Sequence, residues 1–210
     1  LYDIQKIATV TLLLSMNQHN HICGLVLAGG KSTRMGFDKG QLFYHGMPQR
    51  VYAFELLKKY CHVVYTSCAA GEDLPLSLNP LEDALALQGP MNGLITAFRK
   101  HPHKAWIVMA VDMPYADGQA IEQLITGRLP GTVATCFRLP AEPFPEPLLT
   151  LWEPVALPLL EKFAGSGRNS PRDFLKQHKI SLLTPSGERT LANINSPEEY
   201  QHFTGKRLDE

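Results

Sequence analysis

The sequence predicts an α/β protein built on a doubly wound, mostly parallel sheet. Apolar strand-like runs alternate with amphipathic helical segments along the chain. The clearest of those runs, "ICGLVLA" and "AWIVMAV", are apolar throughout instead of at every second residue, as strands covered on both faces must be. No internal repeat and no low-complexity linker interrupts the pattern, so residues 22–210 read as one domain.

The elements follow in order. Residues 22–28 form the first buried strand, and 48–60 an amphipathic helix with Val51, Phe54, Leu56, Leu57 and Tyr60 on its apolar side. A β-branched strand follows at 62–67, and the alternating Leu76-Ser77-Leu78 suggests a short one. Residues 90–101 form a helix, 105–111 a second central strand, and 117–126 a helix opened by the acidic cap Asp117. Strands at 132–137 and 148–152 lead to helices at 155–164 and 171–177, then a short strand at 180–183. The last elements are 191–194 and a helix from Pro197, where Ser196, Glu198 and Glu199 supply a cap and acids for the first turn. The proline-rich "RLPAEPFPEP" is short enough to be a loop within the domain.

Composition narrows the function. Twenty basic residues balance twenty acidic ones in a chain of 210, which argues against bulk electrostatic binding of nucleic acid or an anionic membrane but leaves room for a local basic pocket. Cys23, Cys61, Cys68 and Cys136 are scattered, with no C-x-x-C pair, and read as reduced thiols of a cytoplasmic protein. The apolar stretch 7–14 is too short to span a bilayer, and no small-residue cleavage pattern follows it. Residues 1–21 are an N-terminal extension to which no role is assigned.

In an open α/β sheet, ligands bind where loops leave the carboxyl ends of the strands. That rule places 28–39 and Asp112 on one edge. After the first strand the chain reads "AGGKSTRMGFDK". Gly29 and Gly30 carry no Cβ, so backbone amides can close on an anion. Arg34 adds a fork for phosphate oxygens and Lys39 a point charge. This is a phosphate cradle, yet it matches neither the Walker loop nor the dinucleotide fingerprint. The plain alternative is a glycine-rich turn with solvated lysines. His19-x-His21 and His101-x-His103 lack a third ligand at helical spacing and are weak metal candidates. No hydrolase elbow or Ser-His-Asp order is present.

The stretch "LAGGKSTRMGFDK" resembles the L-A-G-G-x-S-x-R-M-G-x-D-K motif of molybdenum cofactor guanylyltransferases, within the wider nucleotidyltransferase group. "LQGPMNGLITAF", "AVDMPY", "PEPLLTLW" and "NINSPEEY" follow in that family's order, so the resemblance covers roughly residues 22–204. It implies a Rossmann-like sheet of nucleotidyltransferase type and transfer of GMP from GTP to the terminal phosphate of molybdopterin. It also implies that Leu27, Ala28, Gly29 and Gly30 line the GTP site, that Lys39 contacts the triphosphate beside Arg34, and that Asp112 holds Mg²⁺. An acidic side chain beside a phosphate cradle does need a cation between them, although a turn aspartate before Pro114 is the bland alternative.

The resemblance further assigns Gly89, Pro90 and Gly93 to a turn that brings a helix N-terminus near the nucleotide. Asp83 would be a nucleotide-contacting aspartate, with Glu82 leaving a one-residue ambiguity. Thr66 stands where some relatives carry an asparagine after the second main strand, a departure that puts one contact in question. Asn195, with Asn193, falls in a turn that the family places beside metal and phosphates; plain turn chemistry explains it equally well. Arg168 and Arg172 suit either a second phosphate pocket, for molybdopterin, or a solvated loop before a helix capped by Ser170. The partners implied are the two substrates, with room for contact with molybdoenzymes or other cofactor-synthesis proteins.

The competing readings are a molybdopterin cytidylyltransferase and a non-catalytic nucleotide- or pterin-binding carrier. Cytidylyl relatives tend to read L-A-A-G and D-Q-P where this chain has Leu27-Ala28-Gly29-Gly30 and Asp112-Met113-Pro114, which favours guanine.

Overall fold

The structure, a computed structural model, describes residues 21–28 and 38–205. Its frame is a seven-stranded sheet, of which the first three strands in the chain are β1 (Ile22–Leu27), β2 (Val63–Cys68) and β3 (Pro80–Glu82). The other four are β4 (Ala105–Ala110), β5 (Ala134–Phe137), β6 (Glu146–Trp152) and β7 (Ser181–Leu183). The strand order is β3-β2-β1-β4-β6-β5-β7. β1 pairs in parallel with both β2 and β4, with Leu25 opposite Tyr65 on one side and Val108 on the other. Both central strands are buried along their whole length, as their unbroken apolar runs require.

The sheet is mostly parallel, as expected, with β6 alone running against its neighbours β4 and β5. This reversal has a consequence for the site. Because Met109 lies opposite Leu149, the beginning of β6, with Glu146 and Leu148, arrives at the edge where β4 ends.

Helices cover both faces. Strand alternation sends Ile22 and Val26 of β1 into one core with Phe54, Leu57, Ile121 and Leu124. That core is covered by α1 (Gln49–Lys58), and Ile121 and Leu124 belong to a later helix of the same layer, Gly118–Thr126. Cys23 and Leu25 face the opposite core, with Trp106, Leu94, Phe98, Leu160 and Phe174. This face carries α2 (Pro90–Lys100), while Gly118–Thr126 is numbered α3 and the remaining helices of this face are α4 (Ala156–Gly165) and α5 (Pro171–Leu175). Each fully buried Leu or Phe contributes about 1.5–3 kcal/mol. The helix starts are chemical: Asp117 accepts from the Ala120 amide and Ser170 from the Asp173 amide. Ser196 and Glu199 close a full capping box on α6 (Pro197–Thr204).

Two expectations are corrected. Leu76-Ser77-Leu78 is a 3-10 turn, and β3 begins two residues later. Leu76 is 88% exposed, so alternation there reflects a turn with only Leu78 inward. Asn79 then takes a left-handed conformation (φ 50°), and its side chain donates to the Val64 carbonyl at 2.9 Å, which docks the turn onto β2. Residues 191–194 form no helix or strand; they run past the end of β4, where the Ile194 amide donates to the Asp112 carbonyl at 2.9 Å.

Cys23, Cys61, Cys68 and Cys136 are buried free thiols. Among the described residues no helix is long and apolar enough to cross a membrane. Residues 1–20, including His19, lie outside the described residues.

Candidate active site

The adjacency of β1 and β4 creates the site. Leu27 is in register with Ala110, and the Val111 amide donates to the Leu27 carbonyl at 3.3 Å, so the chain leaves both strands at one edge. Leu27, Ala28, Val111 and Asp112 form the floor of a cleft of about 990 Å³ there. Lys39 enters from a 3-10 turn (Lys39–Gln41) that Asp38 caps, its carboxylate accepting from the Gly40 amide at 2.9 Å. The lysine ammonium donates to Asn195 Oδ1 at 2.5 Å and lies 3.7 Å from Asp112 Oδ2. Three segments that are far apart in the chain thus converge on one polar cluster.

Asp112 is poorly compensated. Burial pushes its carboxyl above the ordinary aspartate range, and Lys39 offsets that only in part. At 3.7 Å the lysine is an ion-pair partner and not a hydrogen-bond donor. Asp112 Oδ1 is buried with no hydrogen-bond partner among the described residues, and so is Oδ1 of Asn193, whose neighbour Ile194 is bonded to the Asp112 backbone. Among the described residues there is no cluster of three or more His, Cys, Asp or Glu. One carboxylate oxygen at the cleft and one amide oxygen in the segment bonded to the Asp112 backbone have no donor among the described residues, and they fit a hard divalent cation that would take its other ligands from substrate and water. They do not fit an all-protein metal cage.

The opposite wall belongs to α2 and the loop before it. Gly89 holds φ 90°, a conformation that disfavours any other residue, and Pro90 opens the helix. Gly89 and Pro90 both line the cleft, so the helix N-terminus can meet an anion. Asp83 also lines it, and accepts from the Ser67 hydroxyl at 2.8 Å. Glu82 is exposed and does not line the cleft. Burial raises the Asp83 pKa, and the Ser67 hydrogen bond opposes the rise.

Several expected residues sit elsewhere. Thr66 is fully buried within β2, opposite Val26, its hydroxyl unpaired among the described residues; alternation gives the cleft face to Ser67 instead. Gly93 does not line the cleft. A Cβ there would stand 2.5 Å from Ser67 Oγ and 3.0 Å from a Leu27 methyl, so its role is to let α2 approach the strand ends. Arg168 lies against the Phe163 ring and donates to Gln177, away from the cleft lining. Arg172 is 3.4 Å from Glu146, which is nine-tenths buried at the start of β6, beside cleft residue Leu148. His101 shares a hydrogen bond with the Tyr65 hydroxyl at 3.0 Å and belongs to that packing. Gly29, Gly30 and Arg34 lie outside the described residues.

Sequence reading missed the residues that brace the wall. Asn92, buried on α2, donates to the Leu85 and Leu87 carbonyls (2.7 and 2.8 Å) and accepts from the Leu85 amide. Thr96, one turn later, accepts from the Ala84 amide and donates to Asn92. Polar residues at i and i+4 on an otherwise apolar helix face were the available signal. A second groove of about 670 Å³ lies at the opposite end of the sheet, beside the paired Arg128 and Glu153; it lacks this convergence of unpaired polar groups.

The description that matches this chain, over residues 24–182, is the MobA-like NTP transferase domain, more than half its length. The chain belongs to the MobA-like NTP transferase family. It is a nucleotidyltransferase. It is 38% identical over 180 residues to a molybdenum cofactor biosynthesis bifunctional protein of Synechocystis sp., an alignment covering 84% of this chain and 52% of that relative. The nucleotidyltransferase thus matches about half the length of the bifunctional protein. It is 29% identical to a molybdenum cofactor guanylyltransferase of Pseudomonas putida, over 84% of this chain and 94% of the relative. In fold it is similar to the crystal structure of molybdopterin-guanine dinucleotide biosynthesis protein A from Archaeoglobus fulgidus, with a TM-score of 0.73 and 21% identity, covering 87% of this chain and 97% of that one.

Proposed function

We propose that this nucleotidyltransferase moves GMP from GTP onto the terminal phosphate of molybdopterin. An oxygen of the acceptor phosphate attacks the α-phosphorus of GTP, the bond to the β-phosphate oxygen breaks, and pyrophosphate leaves with that electron pair. The observation that carries the reading is the meeting of Lys39 and Asp112 at the head of the cleft. Two polyanions must be brought together there, so neutralising and orienting charge is the main catalytic task. The guanylyltransferase names of the relatives supply the guanine and molybdopterin parts of the proposal.

Each residue then has a task. Lys39 takes the triphosphate and holds charge that builds on the leaving group. Asn195, which accepts a hydrogen bond from the ammonium, keeps it aimed at the cleft. Gly89 and Pro90 present amides of the α2 end, and Asp83, oriented by Ser67, offers a carboxylate oxygen to the hydroxyls or ring N–H groups of the nucleoside. Asp112 and Asn193 would hold Mg²⁺, which supplies charge neutralisation between the two phosphates when bound. No side chain need act as general base, because a phosphate oxygen is already ionised at neutral pH.

The test is pyrophosphate release from GTP or CTP in the presence of molybdopterin. Release with GTP, and binding at least about tenfold tighter than CTP, about 1.4 kcal/mol, is expected. Equal use of both, or a preference for CTP, overturns the guanylyl assignment. GTP binding with no release identifies a carrier.

A further inference from the structure

The turn that carries Lys39 is braced by a buried cation. Arg50, at the start of α1, is 3% exposed, and its Nη2 donates to Asp38 Oδ2 at 2.9 Å. The other oxygen of Asp38 accepts from the Gly40 amide and so closes the turn that carries Lys39. The same Nη2 lies 3.8 Å from Glu72 Oε1, while Glu72 Oε2 accepts from the Ala69 amide at 3.1 Å. Ala69 lines the cleft. One guanidinium therefore joins two carboxylates, each of which fixes the backbone of a loop at the cleft.

The packing leaves this group little freedom. A Cβ on Gly40 would stand 2.9–3.0 Å from Arg50 Nε, Cζ and Nη2, so the turn lies directly against the guanidinium. Nη2 alone faces both carboxylates, as a hydrogen bond to Asp38 and a longer ion-pair contact with Glu72, while Nε has no partner among the described residues; a lysine would keep the charge but not the rigid planar group that aims it.

We infer that Arg50 is a positioning residue for the triphosphate. Through Asp38 it sets where Lys39 stands, and through Glu72 it sets the facing loop. It also neutralises two carboxylates that would otherwise repel the incoming phosphates. The inference rests on the proposed role of Lys39 as the triphosphate cation. Its signature is phosphate selectivity: disturbing the relay weakens binding of GTP and spares guanosine, which has no phosphate.

Calorimetric titration of GTP and guanosine tests this in Arg50→Lys, Asp38→Asn and Lys39→Ala, with thermal melting of each protein. Asp38, 42% exposed in its side chain, gives a variant that folds even if the buried Arg50 substitution does not. Expected is at least about a tenfold weaker GTP affinity in both relay variants, with guanosine changed by less than about twofold. Asp38→Asn added to Lys39→Ala should bring no further loss, since both act through one group. Equal weakening of both ligands, or a lower melting temperature with GTP affinity intact, shows a merely structural arginine and overturns the inference. A phosphate-selective loss in Lys39→Ala without one in Asp38→Asn overturns it while sparing the role of Lys39. Unchanged GTP affinity in Lys39→Ala overturns the role of Lys39 and, with it, that of Arg50.

Discussion

Lys39 Nζ stands 3.7 Å from Asp112 Oδ2, while Asp112 Oδ1 is buried and accepts no hydrogen bond from any described residue. Half of this carboxylate is thus paired and half is left without a donor. In a finished structural ion pair both oxygens would be satisfied. A pair left half-satisfied beside a large cleft is the arrangement expected of a site completed by its ligands.

Replacing Lys39 by alanine should slow turnover by about 10²–10³-fold, about 2.7–4 kcal/mol by analogy with loss of one oxyanion donor. A solvated surface lysine would change stability by less than about 0.5 kcal/mol and leave activity alone. Steady-state pyrophosphate release beside a melting curve decides, and wild-type rates would remove Lys39 from the mechanism.

Asp112→Asn keeps the shape of the side chain but removes the charge that a hard cation prefers. Pyrophosphate release and the Mg²⁺ dependence of GTP binding should both be lost. The ligand-free variant should melt at the same temperature as the parent or above it, because a buried, poorly compensated charge is gone. Full activity at ordinary Mg²⁺ would reject the metal role.

The pH dependence has a definite sign. The folded-state pKa of Asp112 is raised, chiefly by burial. The penalty is therefore absent below the unfolded aspartate pKa, grows as pH rises toward the folded value, and is complete above it. The melting temperature of Asp112→Asn minus that of the parent should be near zero in acid and positive at neutral pH. Mg²⁺-dependent GTP affinity should fall on acidification at a higher pH than an ordinary aspartate would dictate. A melting difference that is constant across this range would contradict the burial argument.

Asn92→Ala releases the loop over residues 84–87 from α2. It should destabilise the protein by about 1–3 kcal/mol, the range for stranding buried hydrogen-bonding groups, and weaken nucleotide binding as Asp83 loses its support. Faster hydrogen exchange at the Leu85 amide, which bonds to Asn92, would report the release directly. Unchanged protection there would show that the loop is held by other contacts.

Local patterns were enough for much of the fold. Unbroken apolar runs announced β1 and β4, because a strand buried on both faces tolerates no polar residue. Asp117, Ser170 and Ser196 marked three helix starts, because a cap acts on amides two or three residues away. The strand-end rule put Asp112 and the segment 28–39 on one edge, while Asp83 and Gly89 came from the family resemblance; Ala28, Lys39, Asp83, Gly89 and Asp112 line one cleft. Tertiary structure alone decided the rest. Lys39 meets Asn195 across 156 positions, and no local signal encodes such a contact. The face of β2 that turns to the cleft depends on sheet register, which gives Ser67 the place expected for Thr66. Gly93 proved a packing glycine because α2 crosses close over Leu27 and Ser67. The antiparallel course of β6, which sets Glu146 near Asp112, follows from how the sheet is wound, since periodicity marks a strand without its direction. Arg50 had no place in the sequence reading; only the fold buries it beside Asp38 and Glu72.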